Sequence, residues 1–554
     1  MQIKATSDLW WKNAVLYCLD VETFLDGDGD GVGDFAGLTS RIDYLAGLGI
    51  TCLWLMPFYP SPNRDDGYDI SDFYNVHPDY GTVGDFVEFM RTARDRGLRV
   101  IIDLVMNHTS DQHPWFRAAR ADPESRFRNF YIWRDQPPKE NPNDLVFPGT
   151  ETSNWAYDRS AKQYYLHRFY KHQPDLNITN PDVQDEIHKV IGFWLELGVD
   201  GFRVDAVPFM IETMGAEKDA ISNPHDYLRD IRAFASRRQG TAILLGEVNL
   251  EPNDLRPFFG DEDGDELHMI LSFTMNQALY LSLAREEAAP LEKALQALPP
   301  IAIENGWANF VRNHDELSLD KLTAEERQEV FAAFGPDKGM QLYGRGLRRR
   351  LPTMLDGDQR RLRLAYSLMF SLPGIPTLFY GEEIGLAENL DIPDRYAVRT
   401  PMQWSAEPHG GFSPATVKTL RRPITEDPRF APERVNVAEQ RRDPDALLNW
   451  MERLIRQRKE RPEIGWGRCT LVETASPVIF AHRCDWDESV VIIIHNLSGR
   501  HTTTEVTPGP DESLIEILSD ERYEPPVGRS KGIEVADYGY RWFRVRKDGQ
   551  RVLA

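Results

Sequence analysis

The sequence predicts a (β/α)8 barrel with a subdomain inserted after its third strand and an antiparallel β-sandwich at its C-terminal end. Three observations predict it. Eight short runs rich in β-branched and aromatic residues recur between positions 14 and 383, and the stretches between them carry helical periodicity. From residue 465 the rhythm gives way to short β-like runs separated by Gly, Pro, Ser and Asp.

In chain order the strand candidates are AVLYCLDVETF (14–24), ITCLWLMPF (50–58), RVIIDLVMNH (99–108), GFRVDAVPF (201–209), AILLGEVN (242–249), HMILSFTMN (268–276), ANFVRNHDE (308–316) and IPTLFYGEE (375–383). Phe86, Phe89, Met90 and Ala93 fall at i, i+3, i+4 and i+7, and Ile187, Val190, Ile191 and Trp194 repeat the spacing, so each stretch has one apolar face to lay on a sheet. Strands alternating with such helices pair in parallel, and eight such units fit a closed barrel better than a doubly wound sheet. Two stretches interrupt the rhythm: 109–180, crowded with Trp, Tyr, His, Asn and Pro, and 317–357, which contains RGLRRRLPTMLDGDQRR. The first is long enough to be a subdomain. The predicted organisation is barrel 1–108, subdomain 109–180, barrel 181–464 and sandwich 465–554, the last built from CTLVET, PVIFAH, SVVIIIHNL, SLIEIL and YRWFRVR.

Composition bounds the function. The chain has 554 residues, 41% of them hydrophobic, with 13 Trp, 20 Tyr and 27 Phe, enough for a large core. A net charge of −23 repels phosphate backbones, so a nucleic-acid partner is excluded and an electrically neutral small molecule fits better. No apolar run reaches the 18 or so residues of a membrane span, and the first 20 residues lack the apolar region of a secretion signal, so a cytoplasmic protein with no membrane partner is expected. Cys18, Cys52, Cys469 and Cys484 show no CxxC spacing and read as buried thiols of a reducing compartment. The arginine cluster at 345–350 reads as a solvated face or as internal salt-bridge partners.

In a barrel, chemistry collects where the C-terminal strand ends meet. Asp103, Asn107 and His108 follow the third run, Arg203 and Asp205 lie in the fourth, Glu247 ends the fifth, and Asn313, His314 and Asp315 end the seventh. One such carboxylate is an ordinary cap; several on four strand ends of one barrel point to a site. Two carboxyl groups facing one another are what glycoside cleavage needs, and Asp205 and Glu247 are the candidates. Arg203 shares a strand face with Asp205 and is expected to keep it ionised, whereas the apolar AILLG before Glu247 is expected to raise its pKa, as suits a proton donor. Asp26, Asp28, Asp30 and Asp34 alternate with glycines in the manner of an oxygen cage for a hard cation, although Gly37 stands where an EF-hand needs its bidentate Glu. Neither HExxH, nor Cys/His metal spacing, nor a nucleotide-binding glycine motif is present.

DLVMNH (103–108), QPDLN (173–177), GFRVDAVPF (201–209), GEVN (246–249) and VRNHDE (311–316) together resemble, in that order, the motifs of the alpha-amylase family of retaining glycosidases, glycoside hydrolase family 13. The resemblance covers nearly the whole chain. It implies that Asp205 is the nucleophile, Glu247 the general acid/base and Asp315 the carboxylate that stabilises the transition state. It further implies that His108 and His314 bond sugar hydroxyls, that Arg203 supports the nucleophile and that Tyr68, in DDGYDISDFY (65–74), stacks on the reacting sugar. In the family's small-substrate branches an Asp three residues before that Tyr pairs with the Arg of VRTPMQW, here Asp65 and Arg399, to close a blind pocket for terminal glucose. The resemblance also implies structural Ca²⁺ held by Asp26, Asp28, Asp30, Asp34 and the Val32 carbonyl, with a second site at Asn107 and Asp175, and no organic cofactor. Relatives that are non-catalytic transporter subunits lose the catalytic carboxylates, which this chain retains.

DDGYD, YYLHRFYKHQPDLN, RNHDELSL, LRRRLPTMLDGD and VRTPMQW look most like the family's disaccharide-isomerising branch, which interconverts maltose and trehalose by holding the released glucose and re-attaching it. The expected partner is thus a small α-glucoside: a disaccharide or an aryl or alkyl glucoside. GEVNL (246–250) and LSFTMNQALY (271–280) depart from that branch near the acceptor side. Hydrolysis of trehalose, maltose or sucrose, or transfer of glucose to another acceptor, is therefore the alternative reading.

Overall fold

Eight short strands, β1 (Leu16–Leu19), β2 (Cys52–Leu55), β3 (Arg99–Leu104), β4 (Gly201–Val204), β5 (Ile243–Gly246), β6 (Met269–Leu271), β7 (Gly306–Asn309) and β8 (Ile375–Phe379), form a closed parallel barrel in a computed structural model of the chain. The structure describes residues 9–139, 145–212, 223–261, 264–416, 420–425, 427–506, 509, 512–524 and 532–547. The strands follow one another around the barrel in sequence order, and Leu16 closes it by pairing with Cys52 on one side and Thr377 on the other. Each overlaps one of the eight predicted runs, with β7 starting two residues ahead of its run. The strands read as continuous apolar runs because both faces are covered. Gly201 marks a tight approach: at φ 150° a Cβ there would meet the Ile243 carbonyl at 2.3 Å, so β4 and β5 close up only around a glycine.

The helices between strands start where capping chemistry allows. Val83–Asp95 opens with a capping box between Thr82 and Asp85 and buries Phe86, Phe89, Met90 and Ala93. Pro181–Glu196 opens on the Asn180 cap with Pro181 in its first turn and buries Ile187, Val190, Ile191 and Trp194. Both buried faces are those the spacing predicts.

Between β3 and β4 the chain leaves the barrel to form a three-stranded antiparallel sheet from Trp133–Arg134, Gln163–Leu166 and Trp155–Asp158. Phe116 packs there against Tyr131, Trp133 and Tyr165, which explains the aromatic composition. Bridges from His108 to Asp175 and from Tyr131 to Leu176 tie it back to the barrel mouth. The arginines of 345–350 turn inward rather than to solvent. Arg348 donates to the carbonyls of Leu390 and Ile392, and the buried Arg350 to those of Tyr380 and Val398. Most of their partners are backbone oxygens, and the segment they hold, 388–398, borders the site.

The C-terminal part is an antiparallel five-stranded sheet of β9 (Arg468–Leu471), β10 (Ile479–Trp486), β11 (Ser489–Asn496), β13 (Glu512–Ser519) and β15 (Tyr540–Lys547), with β12 (Thr502–Glu505) paired to β14 (Gly532–Val535). Ile479, Ile492, Ile494, Val535 and Phe543 form a separate apolar core in this part. Here one sequence expectation fails. Cys18 and Cys52 are buried free thiols, but Cys469 and Cys484 face one another on β9 and β10 and are disulfide-bonded. Their separation of 15 residues gave no hint, because cross-strand register rather than sequence distance brings the two sulfurs together. Among the described residues no helix is long and apolar enough to cross a membrane.

Candidate active site

The ends of β3, β4 and β5 bring three carboxyl side chains to one guanidinium, that of Arg203. Arg203 Nη1 donates to Asp103 Oδ1 and to Asp205 Oδ1, each at 2.5 Å, and Nη2 donates to Glu247 Oε2 at 2.7 Å. The barrel ladder aims these groups, since the Asp205 amide donates to the Leu104 carbonyl and the Glu247 amide to that of Val204. Ala206 follows in the left-handed region at φ 49°, a strained position for a residue with a Cβ, and its amide donates to Glu247 Oε2 at 3.2 Å. The strain turns the chain sharply after Asp205. Asp103 is fixed from its other side by Trp54 Nε1 at 2.8 Å.

Burial sets the charge states. It pushes Asp205 up to about 6 against the pull of Arg203, so the arginine does not depress this carboxyl as expected from the sequence; desolvation outweighs it. Glu247 is pushed up to about 7 by the same burial, reinforced by Asp205 and Asp315 and opposed by Arg203. Asp315 goes the other way: despite burial, His314, Arg395 and Arg399 hold it well below the usual carboxylate range. Near neutrality the site therefore contains two carboxylates and a carboxyl that readily keeps its proton.

His314 and His108 flank Tyr68. His314 Nε2 lies 2.6 Å from the Tyr68 hydroxyl and 3.2 Å from Asp315 Oδ2, and its ring stacks on Tyr68 at 5.5 Å between centroids. His108 Nε2 lies 3.2 Å from the Tyr68 carbonyl. Burial lowers both imidazoles to about 4, so both are neutral donors or acceptors rather than cations.

The closed end of the site differs from expectation in its pairing. Arg399, fully buried, bonds Asp66 rather than Asp65, and also reaches Asp315 Oδ1 at 3.2 Å. Asp65 pairs with Arg395 at 2.6 Å, and the same Arg395 reaches Asp315 Oδ1 at 2.8 Å. The doublet Asp65-Asp66 explains the slip: Gly67, at φ 89° with the Pro57 carbonyl 2.6 Å from where a Cβ would lie, folds the turn so that neighbouring carboxylates face different arginines. On the other side, a cavity of about 660 Å³ reaches Glu247 and Asp315. Its wall includes five phenylalanines, Phe147 and Phe169 from the inserted subdomain and Phe209, Phe258 and Phe273 from the barrel. Asp205, Tyr68, His108 and Arg203 are buried behind it.

The sequence matches the family described as alpha amylase, catalytic domain, over residues 21–333 and 347–467. The chain belongs to the alpha-amylase family. A trehalose synthase of Pimelobacter sp. (strain R48) is 38% identical over 97% of this chain and 96% of its own length. A glucan 1,6-alpha-glucosidase of Streptococcus pneumoniae is 33% identical over 92% of this chain and 95% of its own. Among solved structures, a trehalulose synthase superposes with a TM-score of 0.79 at 26% identity, covering 97% of this chain and all of that one.

The metal positions the family resemblance implies fare differently. Carboxylate oxygens of Asp26, Asp28 and Asp34 converge within 4.8 Å of one another. Backbone amides of Gly29 and Gly31 orient Asp26, and those of Gly27, Asp28 and Gly37 orient Asp34, so a hard oxygen donor set is held in place and fits Ca²⁺. Asp30 lies outside this group; its carboxylate accepts the Val32 amide at 2.8 Å instead. At the second position Asn107 and Asp175 do meet, at 3.3 Å, but Arg168 Nε stands 3.7 Å from Asp175 and its Nη1 bonds Glu212 at 2.5 Å. A guanidinium already supplies the positive charge, so these residues do not fit a divalent ion.

Several residues escaped the sequence reading. Arg395 shows no motif of its own, and only its spacing of four before Arg399 hints that it joins the same cluster. Asp66 was hidden by its neighbour, and Asp103 was visible as a strand-end carboxylate without a role.

Proposed function

We propose that this protein is a retaining, exo-acting α-glucoside enzyme of the trehalose-synthase type that interconverts maltose and trehalose. The observation that carries the reading is the closed end of the site: two carboxylate–arginine pairs, Asp65 with Arg395 and Asp66 with Arg399, are both tied to Asp315 through their arginines and fill that end with paired side chains. The relatives named trehalose synthase support the choice of substrate.

In this reading Asp205 attacks the anomeric carbon while Glu247 gives its proton to the glycosidic oxygen, forming a glucosyl ester on Asp205 and free glucose. Arg203, bonded to both carboxyls, holds them at the short separation that retention requires. Asp315, anionic between Arg395 and Arg399, offsets the positive charge that develops on the sugar. The released glucose stays in the aromatic chamber, turns, and presents its anomeric hydroxyl; Glu247 takes that proton as the ester breaks, and the product is the α,α-linked isomer. His108, His314 and Tyr68 orient the reacting sugar. We further propose that Asp26, Asp28 and Asp34 hold a structural Ca²⁺ whose positive charge would fix the loop after β1, with no part in the reaction.

A product time course on maltose and, separately, trehalose tests the assignment. Interconversion with little free glucose is expected. Dominant glucose release from both would replace isomerisation by hydrolysis, the activity suggested by the glucosidase relatives, on the same catalytic residues.

A further inference from the structure

The pairs behind the sugar pocket do not end at Asp66. Asp66 carries a guanidinium on each oxygen, Arg399 on Oδ2 and Arg422 on Oδ1. Arg422 in turn donates Nε to Glu22 Oε1 at 2.8 Å and lies over the ring of Tyr396 at 5.1 Å. The Tyr396 hydroxyl donates to Asp65 Oδ1 at 3.3 Å. One side chain therefore braces both members of the Asp65-Asp66 doublet, one directly and one through a tyrosine. The neighbouring Arg421 reaches the other oxygen of Glu22 at 3.1 Å and bonds Asp79. Glu22 is itself buried, so this is an internal network and not a surface ion pair.

We infer that Arg422 is a positioning residue of the glucose pocket: it touches no part of the cavity, and acts by holding Asp66 and the turn 65–68 in the conformation that presents Asp65 and Tyr68. The turn needs holding. Asp66 sits at φ 52°, in the left-handed region that disfavours a side chain, and its buried carboxylate lies close to those of Asp20 and Glu22. Without Arg422, Arg399 alone would be left to balance Asp66, Glu22 would keep only the more exposed Arg421, and the turn would relax away from the pocket. Arg422 is itself anchored from outside the barrel. The Arg421 amide donates to the Gly31 carbonyl at 3.2 Å, and Ser413 Oγ donates to Asp26 at 2.5 Å, so the acidic loop after β1 supports the segment that carries the arginine.

The inference rests on α-glucoside chemistry and not on isomerisation. It is tested with p-nitrophenyl α-glucoside, whose nitrophenol reports cleavage of the glucosidic bond directly, and with glucose binding by calorimetry, on Arg422→Gln and Arg422→Lys. For Arg422→Gln the glucose Kd and the KM rise together by about tenfold while kcat stays within about threefold, the signature of lost uniform binding. Arg422→Lys keeps the charge but cannot fork between Asp66 and Glu22, and gives an intermediate rise in both. A glucose Kd within twofold of wild type in the Gln variant overturns the inference, whether or not its Tm falls, and so does a loss confined to kcat. Should the Gln variant not fold, a Lys variant with wild-type Kd and KM overturns it. Failure of the isomerase assignment would show in the products wild-type enzyme makes from maltose, and leaves these readouts unaffected.

Discussion

Asp205 and Glu247 share one guanidinium and are pushed by burial up to about 6 and about 7, and this predicts a narrow bell in kcat/KM against pH. The productive form has Asp205 ionised and Glu247 protonated. Activity therefore rises as Asp205 loses its proton and falls as Glu247 loses its own. With those two values about 60% of the enzyme is productive near pH 6.5 and about 3% at pH 8.5, a loss of about twentyfold on the alkaline side. The perturbation that isolates the descending limb is Glu247→Gln, assayed as the burst of nitrophenol from p-nitrophenyl glucoside, whose good leaving group needs no proton. The variant keeps the rise governed by Asp205 and loses the fall. A wild-type plateau persisting to pH 9, or an alkaline limb that survives in the variant, would refute the assignment of Glu247 as the proton donor.

Asp205→Asn removes the attacking carboxylate and lowers kcat on maltose by a factor on the order of 10³ or more, with activity within tenfold of wild type contradicting the site. Arg395→Ala leaves buried Asp65 and Asp315 each short of a partner, an uncompensated charge of about 3 kcal/mol, so kcat/KM falls on the order of 10²-fold. If Asp26, Asp28 and Asp34 hold Ca²⁺, chelation with EDTA lowers the Tm, and Ca²⁺ at a hundredfold over Kd restores the Tm by adding about 2.7 kcal/mol of stability; the Asp28→Asn variant loses the response. Cys469→Ser opens a loop of 15 residues and weakens the C-terminal sheet by about 3 kcal/mol, an effect that reductant reproduces in the wild type as a lower Tm.

The barrel was legible because its signal is local. Each of the eight runs is apolar on both faces, and each intervening helix writes its buried side at a spacing of three and four, as Phe86, Phe89, Met90 and Ala93 do. The strand-end residues were legible for the same reason: Asp205 directly follows β4 and stands two residues after Arg203, on the face that strand alternation gives them both. What the sequence hid are pairings across the fold. Asp65 and Asp66 are equivalent as text, and only the turn at Gly67 decides which meets Arg399. The arginines of 345–350 read as a solvated face or as internal salt-bridge partners; Arg349 does pair with Glu388, but nothing local reveals that most of the other partners are backbone carbonyls, as those of Ile392 and Tyr380 are. Arg168 reads as one more basic residue in an aromatic stretch, yet it stands where a second cation was expected. In each case the deciding contact joins residues distant in sequence, where no period or spacing carries information.

The fate of a glucosyl ester on Asp205 depends on what reaches it first, and the two ends of the site treat water differently. Behind Asp205 the charges are paired with one another, Arg203 with three carboxyl groups, Asp66 with two guanidiniums and Asp315 with Arg395 and Arg399, while Arg203 Nε, His314 Nδ1 and Arg395 Nε keep no protein partner among the described residues. In front lies the chamber, where Phe147, Phe169, Phe209, Phe258 and Phe273 offer apolar faces and polar groups stand farther out at Asn249, Asp320 and Arg345. A glucose ring stacks on such faces through its C–H surfaces and also meets Glu247 and the other polar groups with its hydroxyls, whereas a water bonds the polar groups alone. Retention of the sugar over water then follows from shape: two of the five aromatic rings come from the inserted subdomain, so the barrel alone supplies the catalytic carboxylates while the insertion completes the wall that keeps the leaving glucose near them.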